Sequence, residues 1–115
     1  MTVEEITRRI RSFRDERDWA QFHNPKDMSV AISVEAAELL QHFLWKSKEE
    51  SEARAREHIA EVKEEIADIA IFLFELADNL GLDVLEIMAE KLEKNAAKYP
   101  VSKAKGKHLK YTELE

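Results

Sequence analysis

The sequence of 115 residues contains no cysteine and only two glycines and two prolines. The absence of cysteine excludes disulfides, thiolate chemistry and cysteine-based zinc sites. Because glycine and proline form most tight turns, their scarcity favours long helices over a turn-rich β fold. The sequence also lacks a membrane-spanning run, since Asp68, Glu75 and Asp78 interrupt the longest apolar stretch, from Ile66 to Leu80.

An excess of basic residues is missing as well, and the net charge is −6. Proteins that bind nucleic acids carry a basic surface, so we expect no nucleic-acid partner. An acidic protein can still bind a phosphorylated small molecule, because a bound metal ion reverses the local field. The first residues lack the apolar segment of a signal peptide, which predicts a cytoplasmic protein with no membrane partner.

Apolar residues recur at helical spacing along most of the chain, so we predict an all-α protein built as a four-helix bundle. The first helix should begin after a capping box at Thr2 and continue to about Gln21. Asp27 is a suitable N-cap for a second helix, which should end near Trp45.

The second half of the chain has two further helical segments. The charged stretch 46–56 is either a loop or the polar start of the third helix. The fourth helix should begin after Asp83 and end near Tyr99. We therefore expect a helical domain over residues 1–100 and a polar C-terminal tail over residues 101–115.

The third helix is apolar nearly all round from Ile66 to Ala77. Such a helix needs packing partners on more than one side, and one small domain does not supply them all. We therefore predict a homo-oligomer, either a dimer or a tetramer.

Two acidic pairs are the candidate active-site residues. Glu35 and Glu38 lie three apart in one apolar segment, and Glu65 and Asp68 lie three apart in another. Residues at this spacing share one helix face, so each segment directs two carboxylates to one side. One interpretation is four solvated surface charges. The other is a site for a hard divalent cation, because carboxylates in an apolar seam need compensation.

The kind of metal follows from the ligand type. A di-iron bundle requires Glu-x-x-His pairs, whereas here the fourth residue is Glu38 or Asp68. His42 follows Glu38 by four residues, which is the wrong spacing for such a pair. A site made only of oxygen ligands favours Mg²⁺, with Mn²⁺ as the second choice.

Aromatic residues flank the second predicted helix and form a candidate substrate site. Trp19 and His23 precede this helix, and Trp45 ends it. Both tryptophans could simply pack in the core or in an interface. Alternatively, they provide a stacking surface for a planar base, with His23 offering a hydrogen bond.

A basic element lies on the fourth predicted helix. Lys91, Asn95 and Lys98 follow at i, i+4 and i+7, so they share one face, and Tyr99 comes next. This face is either solvated or an anion-binding surface. The remaining histidines, His42, His58 and His108, show no partner pattern, so we interpret them as structural or surface residues.

These features together resemble the all-α nucleoside triphosphate pyrophosphohydrolases of MazG type. The signature of that family is Glu-x-x-Glu, a spacer, Glu-x-x-Asp, and then a Lys-x-x-x-Asn-x-x-Lys/Arg-Tyr element. All three parts occur here in order, as Glu35 and Glu38, as Glu65 and Asp68, and as Lys91, Asn95, Lys98 and Tyr99.

Within that family the sequence is most similar to the dCTP pyrophosphatase branch. The shared elements are RDW-x-QFH-x-P at residues 17–25, a QWK-like element at residues 44–46 and KYTEL at residues 110–114. Relatives often have Gly where this chain has Val34 and Ala37, and these changes should be tolerated in a helix. Relatives also often have Tyr where it has Phe72, which leaves the fine substrate preference open.

The resemblance implies a Mg²⁺-dependent hydrolase. Its reaction would split a nucleoside triphosphate between the α- and β-phosphates. The four carboxylates would hold metal, the two lysines would bind phosphate oxygens, and Trp19, His23 and Trp45 would hold the base. One alternative is a related pyrophosphohydrolase of phosphoribosyl-ATP type. A second is a non-catalytic helical oligomer that binds nucleotides or a protein.

Overall fold

The structure is a computed structural model that describes all 115 residues and contains helices but no strands. The all-α prediction is therefore confirmed. Six α-helices and two short 3₁₀ helices are present. The α-helices are α1 (Val3–Glu16), α2 (Pro25–Gln41), α3 (Lys48–Glu57), α4 (Ile59–Asn79), α5 (Val84–Lys98) and α6 (Val101–Ala104), and the 3₁₀ helices are Ala20–Phe22 and Tyr111–Glu113. None of these helices has the length and apolar character needed to cross a bilayer.

The chain divides into two compact units, residues 1–81 and residues 82–115. In the first unit α4 is central, because α1, α2 and α3 each pack against it. The second unit contains α5, α6 and the second 3₁₀ helix. The expected division at residue 100 stays a prediction.

The structure has six α-helices rather than the expected four, and α3 is one of the additions. Ser47 begins α3 with a capping box, in which its side chain accepts from the Glu50 amide and Glu50 accepts from the Ser47 amide. A capping box satisfies amides that a helix start leaves unpaired. The charged stretch therefore forms its own helix, which His58 separates from α4.

The predicted C-terminal ends of the first two helices were wrong. In each case a non-glycine residue shortly after the observed end adopts the left-handed backbone conformation. The first helix ends at Glu16 rather than near Gln21, and Asp18 follows with a φ of 54°. The second ends at Gln41 rather than Trp45, and Trp45 itself has a φ of 62°. Only glycine adopts this conformation without a steric cost, so the residue types at Asp18 and Trp45 do not indicate that a helix ends there.

The start of α2 also differs from the prediction. The N-cap is Asn24, not Asp27, and its side chain accepts a 2.9 Å hydrogen bond from the Asp27 amide. Pro25 takes the first helical position, where its missing N–H is no loss. Pro25 therefore begins α2, ahead of the predicted start.

The polar tail contains short helices that no apolar periodicity predicted. It contains α6 and the second 3₁₀ helix, and the Tyr99 and Tyr111 rings meet edge to face at 6.1 Å between centroids. Lys98 Nζ lies 4.8 Å from the centre of the Tyr111 ring. These aromatic contacts hold the tail within the second unit.

Apolar side chains on α4 remain largely uncovered. The buried apolar residues of the chain are Ile10, Met28, Val62 and Ala77, and of these only Met28 is fully buried. Four apolar residues at seven-residue intervals along α4 are each 46–59% exposed, namely Ile59, Ile66, Leu73 and Leu80. Seven residues are close to two helical turns, so these four form one stripe, which we call the α4 stripe.

Candidate active site

The two acidic pairs come together where α2 packs against α4. Burial raises the pKa of Glu35, and the hydrogen bond that it shares with Glu38 raises it further. The charges of Glu38, Asp68 and Glu65 act in the same direction. The structure therefore places all four predicted carboxylates in one electrostatic cluster, which we call the carboxylate quartet.

Two members of the quartet have buried oxygens without a hydrogen-bond partner. These atoms are Glu35 Oε2 and Glu65 Oε2. His42 Nε2 lies 2.5 Å from Glu65 Oε2, but this close polar contact does not have hydrogen-bond geometry. Glu38 and Asp68 are exposed. Two carboxylates of the quartet thus have a buried oxygen, and the other two are accessible to solvent.

The donor set of the quartet fits a hard divalent cation. No group of three or more His, Cys, Asp or Glu side chains stands in metal-binding arrangement in the structure. However, two unpartnered carboxylate oxygens and the mutual repulsion at Glu35 both call for positive charge. Carboxylate oxygens are the ligands that Mg²⁺ and Mn²⁺ prefer.

Adding Mg²⁺ should raise the melting temperature by several degrees, and EDTA should reverse the change. A ligand at a hundred times its Kd stabilises the folded state by about 2.7 kcal/mol. The Glu35→Gln variant should lose most of this response, because it removes one member of the quartet. Differential scanning calorimetry with and without Mg²⁺ measures both effects, and Glu64→Gln, at an exposed position on α4, is the matched control. A melting temperature that ignores millimolar Mg²⁺ would contradict the metal assignment.

The same variant should be more stable than the wild type at neutral pH without metal. The pKa of Glu35 is raised on folding. The folded state therefore gains stability from protonated Glu35 below the pKa of the unfolded chain, about 4.3. This stability is lost as the pH rises through the pKa of Glu35 in the folded state. Between pH 4 and pH 7 in EDTA, the melting temperature should fall more steeply with pH for the wild type than for Glu35→Gln.

A polar pocket of about 370 Å³ adjoins the quartet and contains residues that the sequence did not indicate. Its lining residues are Glu38, Gln41, His42, Arg54 and Glu65. Arg54 Nη2 lies 3.2 Å from His42 Nδ1. Because arginine can only donate, Nδ1 is the acceptor and the His42 proton is on Nε2, the ring nitrogen in close contact with Glu65. His42, interpreted from sequence as structural or surface, therefore lies against the quartet.

An apolar groove, which we call the aromatic groove, lies beside Asp68. Its volume is about 370 Å³, and it is lined by Ile6, Arg9, Ile10, Phe13, Trp19, His23, Asp68, Ile71, Phe72 and Glu75. Phe13 and Trp19 meet edge to face, with 5.8 Å between ring centroids. The groove thus contains both Trp19 and His23, and Asp68 belongs to the groove and to the quartet. Base binding by Trp19 and His23 stays a prediction.

A buried carboxylate that the sequence reading missed lies in this groove. Glu75 is 4% exposed, and its Oε2 is 2.7 Å from His23 Nδ1. Asn79 Nδ2 donates to the same oxygen at 3.2 Å. The available signal was its position seven residues after Asp68, which places it on the same face of α4 as Asp68.

Trp45 lies outside the aromatic groove and is 92% exposed. It therefore does not pack in the core of the chain. It follows the end of α2, the helix that carries Glu35 and Glu38. Its predicted role in base stacking stays a prediction.

The basic element lies in the second unit. Lys91 and Asn95 are on α5, Lys98 is the last residue of that helix, and Tyr99 is its C-cap. The two lysines are exposed, whereas Asn95 and Tyr99 are partly buried. Lys98 rests over the Tyr111 ring. Phosphate binding by this element stays a prediction.

Comparison with known proteins identifies the family. Residues 30–114 match the MazG-like family, and the chain belongs to it. The chain is 39% identical to dCTP pyrophosphatase 1 of Bos taurus and 36% identical to that of Homo sapiens, in each case over 98% of this chain and 68% of the relative. A crystal structure of a pyrophosphatase from Archaeoglobus fulgidus matches with a TM-score of 0.81 and 43% identity, over 84% of this chain and 91% of the other.

These matches confirm the resemblance drawn from the motifs. They also confirm the class of enzyme, a nucleoside triphosphate pyrophosphohydrolase. A divalent-metal requirement fits this class and the carboxylate quartet.

Proposed function

We propose that this protein is a Mg²⁺-dependent pyrophosphohydrolase that converts dCTP, or a related pyrimidine deoxynucleoside triphosphate, to the monophosphate and pyrophosphate. The observation that carries the proposal is the convergence of the carboxylate quartet beside the aromatic groove. The dCTP pyrophosphatases among the relatives support the choice of substrate. A cytoplasmic location belongs to the proposal, because nucleoside triphosphates are abundant there.

Asp68 suggests how one substrate spans the two parts of the site. It belongs to the quartet and also lines the aromatic groove. A base between the aromatic side chains would therefore have its triphosphate directed towards the carboxylates. Trp19 and His23 hold the base in this arrangement, and Trp45 offers a further stacking surface.

The carboxylate quartet holds the metal in this proposal. Mg²⁺, when bound, neutralises negative charge on the triphosphate and makes water more acidic. Hydrolysis adds water across the bond between the α- and β-phosphates, and one carboxylate accepts the proton of that water. The buried oxygens of Glu35 and Glu65 suit metal binding, whereas Glu38 and Asp68 are accessible to substrate.

The basic element provides the phosphate contacts in this proposal. Lys91 and Lys98 bind phosphate oxygens, and Asn95 and Tyr99 complete the element. Its support is the exposed positive charge of the two lysines and the position of the element within residues 30–114, which match the MazG-like family. Lysine is a common phosphate ligand because its ammonium carries a compact charge.

We also propose that the active form is a homo-oligomer. Its support is the α4 stripe and the shortage of fully buried apolar residues. Monomeric proteins rarely leave such a continuous apolar surface in contact with water. A dimer with two α4 stripes in contact would remove it, and a dimer of dimers would bury more.

Sedimentation at low micromolar concentration should show no monomer of the wild-type protein. The double variant Ile66→Glu and Leu73→Glu should dissociate, because it introduces charge into the stripe. Arg8→Glu, on the exposed side of α1, adds negative charge elsewhere and should remain assembled. A wild-type monomer with full activity would refute the oligomer.

A screen of nucleoside triphosphates with Mg²⁺ tests the function directly. Pyrophosphate release should be highest with dCTP or a related pyrimidine deoxynucleotide, and inorganic phosphate should not be the first product. Measuring both products separates cleavage after the α-phosphate from loss of the γ-phosphate. If no triphosphate yields pyrophosphate, the proposed function is wrong.

A further inference from the structure

Glu75 is a buried charge in the aromatic groove with one oxygen left for a ligand. His23 Nδ1 and Asn79 Nδ2 both approach Oε2. No protein group donates to Oε1, and this atom is not among the buried oxygens that lack a partner. Since Glu75 lines the groove, Oε1 is reachable from it.

The surroundings of Glu75 keep it an acceptor. Arg14 Nη1 donates to Asn79 Oδ1 at 2.6 Å, so Asn79 turns its amide nitrogen towards Glu75. The charge of Glu75 is among the causes that raise the pKa of Arg14, which places the two groups within electrostatic reach. In its contact with the Glu75 carboxylate, His23 Nδ1 acts as the donor. The two polar side chains in contact with Glu75 Oε2 thus act as donors, and Arg14 adds positive charge.

We propose that Glu75 selects the base by accepting a hydrogen bond from an exocyclic amino group. This inference rests on the proposed function. The 4-amino group of cytosine donates, whereas the 4-oxo group of uracil and thymine only accepts and is repelled by a carboxylate. Glu75 therefore favours a 4-aminopyrimidine over a 4-oxopyrimidine. It is a specificity residue and takes no part in the hydrolysis.

The Glu75→Gln variant gives a directional test. His23 and Asn79 both donate to the Oε2 position, so the glutamine oxygen should stay there and its amide NH₂ should replace Oε1. A donor would then face the base, and the 4-oxopyrimidine should be preferred. The ratio of kcat/KM for dCTP to that for dUTP should fall about 10-fold or more. Most of the change should appear in KM, because base contacts bind ground state and transition state alike.

A control variant distinguishes a specific effect at Glu75 from the effect of losing one negative charge. Glu64→Gln removes one exposed carboxylate from the same helix and should leave the ratio unchanged. If Glu75→Gln does not fold, the wild type can be assayed with the triphosphate of a pyrimidin-2-one nucleoside, which lacks the 4-amino group. Its kcat/KM should be about 10-fold or more below that of dCTP.

The outcomes distinguish the two proposals. A folded Glu75→Gln enzyme with the wild-type ratio, or a wild type that accepts the pyrimidin-2-one substrate as well as dCTP, overturns the role of Glu75 and leaves the hydrolase intact. If the wild type releases no pyrophosphate, the proposed function fails. The same ratio, measured as Kd values for dCTP and dUTP by calorimetry, then decides the role of Glu75.

Discussion

The Asp68→Asn variant should abolish Mg²⁺-dependent turnover and leave the fold intact or slightly more stable. Asparagine has the shape of aspartate but lacks the charge that a metal ligand provides. The charge of Asp68 is one of the causes that raise the pKa of Glu35, so its removal relieves repulsion within the quartet. Because Asp68 is exposed, the change costs little packing.

Turnover and melting temperature should be measured on the same preparation of Asp68→Asn. Glu64→Gln loses one negative charge from the same helix and should keep wild-type turnover. Retention of more than a tenth of the wild-type activity by Asp68→Asn would remove Asp68 from the catalytic residues. A collapse of the melting temperature would instead show that Asp68 holds the structure together.

The Trp45→Ala variant should raise KM about 10-fold to 100-fold, in line with the 1–3 kcal/mol of base stacking on an aromatic side chain. The maximal rate should fall less, because stacking binds ground state and transition state alike. The melting temperature should hardly change, since Trp45 is 92% exposed. Trp45→Phe keeps an aromatic face and should retain most of the affinity.

The alternative for Trp45 is packing, and the same two measurements separate it from stacking. Truncation of a packed tryptophan costs about 3–5 kcal/mol of stability. The exposure of Trp45 leaves contact with another subunit as the only packing role for it. A large loss of stability with an unchanged KM would therefore assign Trp45 to a subunit interface and exclude it from the substrate site.

The carboxylate quartet could be predicted because its signal is local. A spacing of three residues puts two carboxylates on one helix face, and this holds wherever the helix lies. Glu35 and Asp68 then meet because two consecutive apolar helices pack against each other. The helix starts at Thr2 and Ser47 were predictable for the same reason, since a capping box is complete within four residues.

The rest of the site depends on contacts between distant parts of the chain. His23 and Glu75 are 52 residues apart, and no spacing rule relates them. Arg54 reaches His42 only because α3 packs against α4, and α3 is too polar to show an apolar period. The ends of the first two helices escaped prediction because left-handed backbone at Asp18 and Trp45 carries no glycine signal.

The single helix α4, 21 residues long, carries both active-site residues and the apolar stripe proposed for subunit contact. One face carries Glu65, Asp68 and Glu75, and another carries the α4 stripe. Each residue turns the helix by about 100°. Deleting a single residue between Asp68 and Leu73 would therefore rotate everything beyond it by that angle and move Glu75 and Leu73 off their faces together. This segment should therefore tolerate an insertion or deletion less well than a substitution that keeps the helix, so its length is under stricter constraint than its composition.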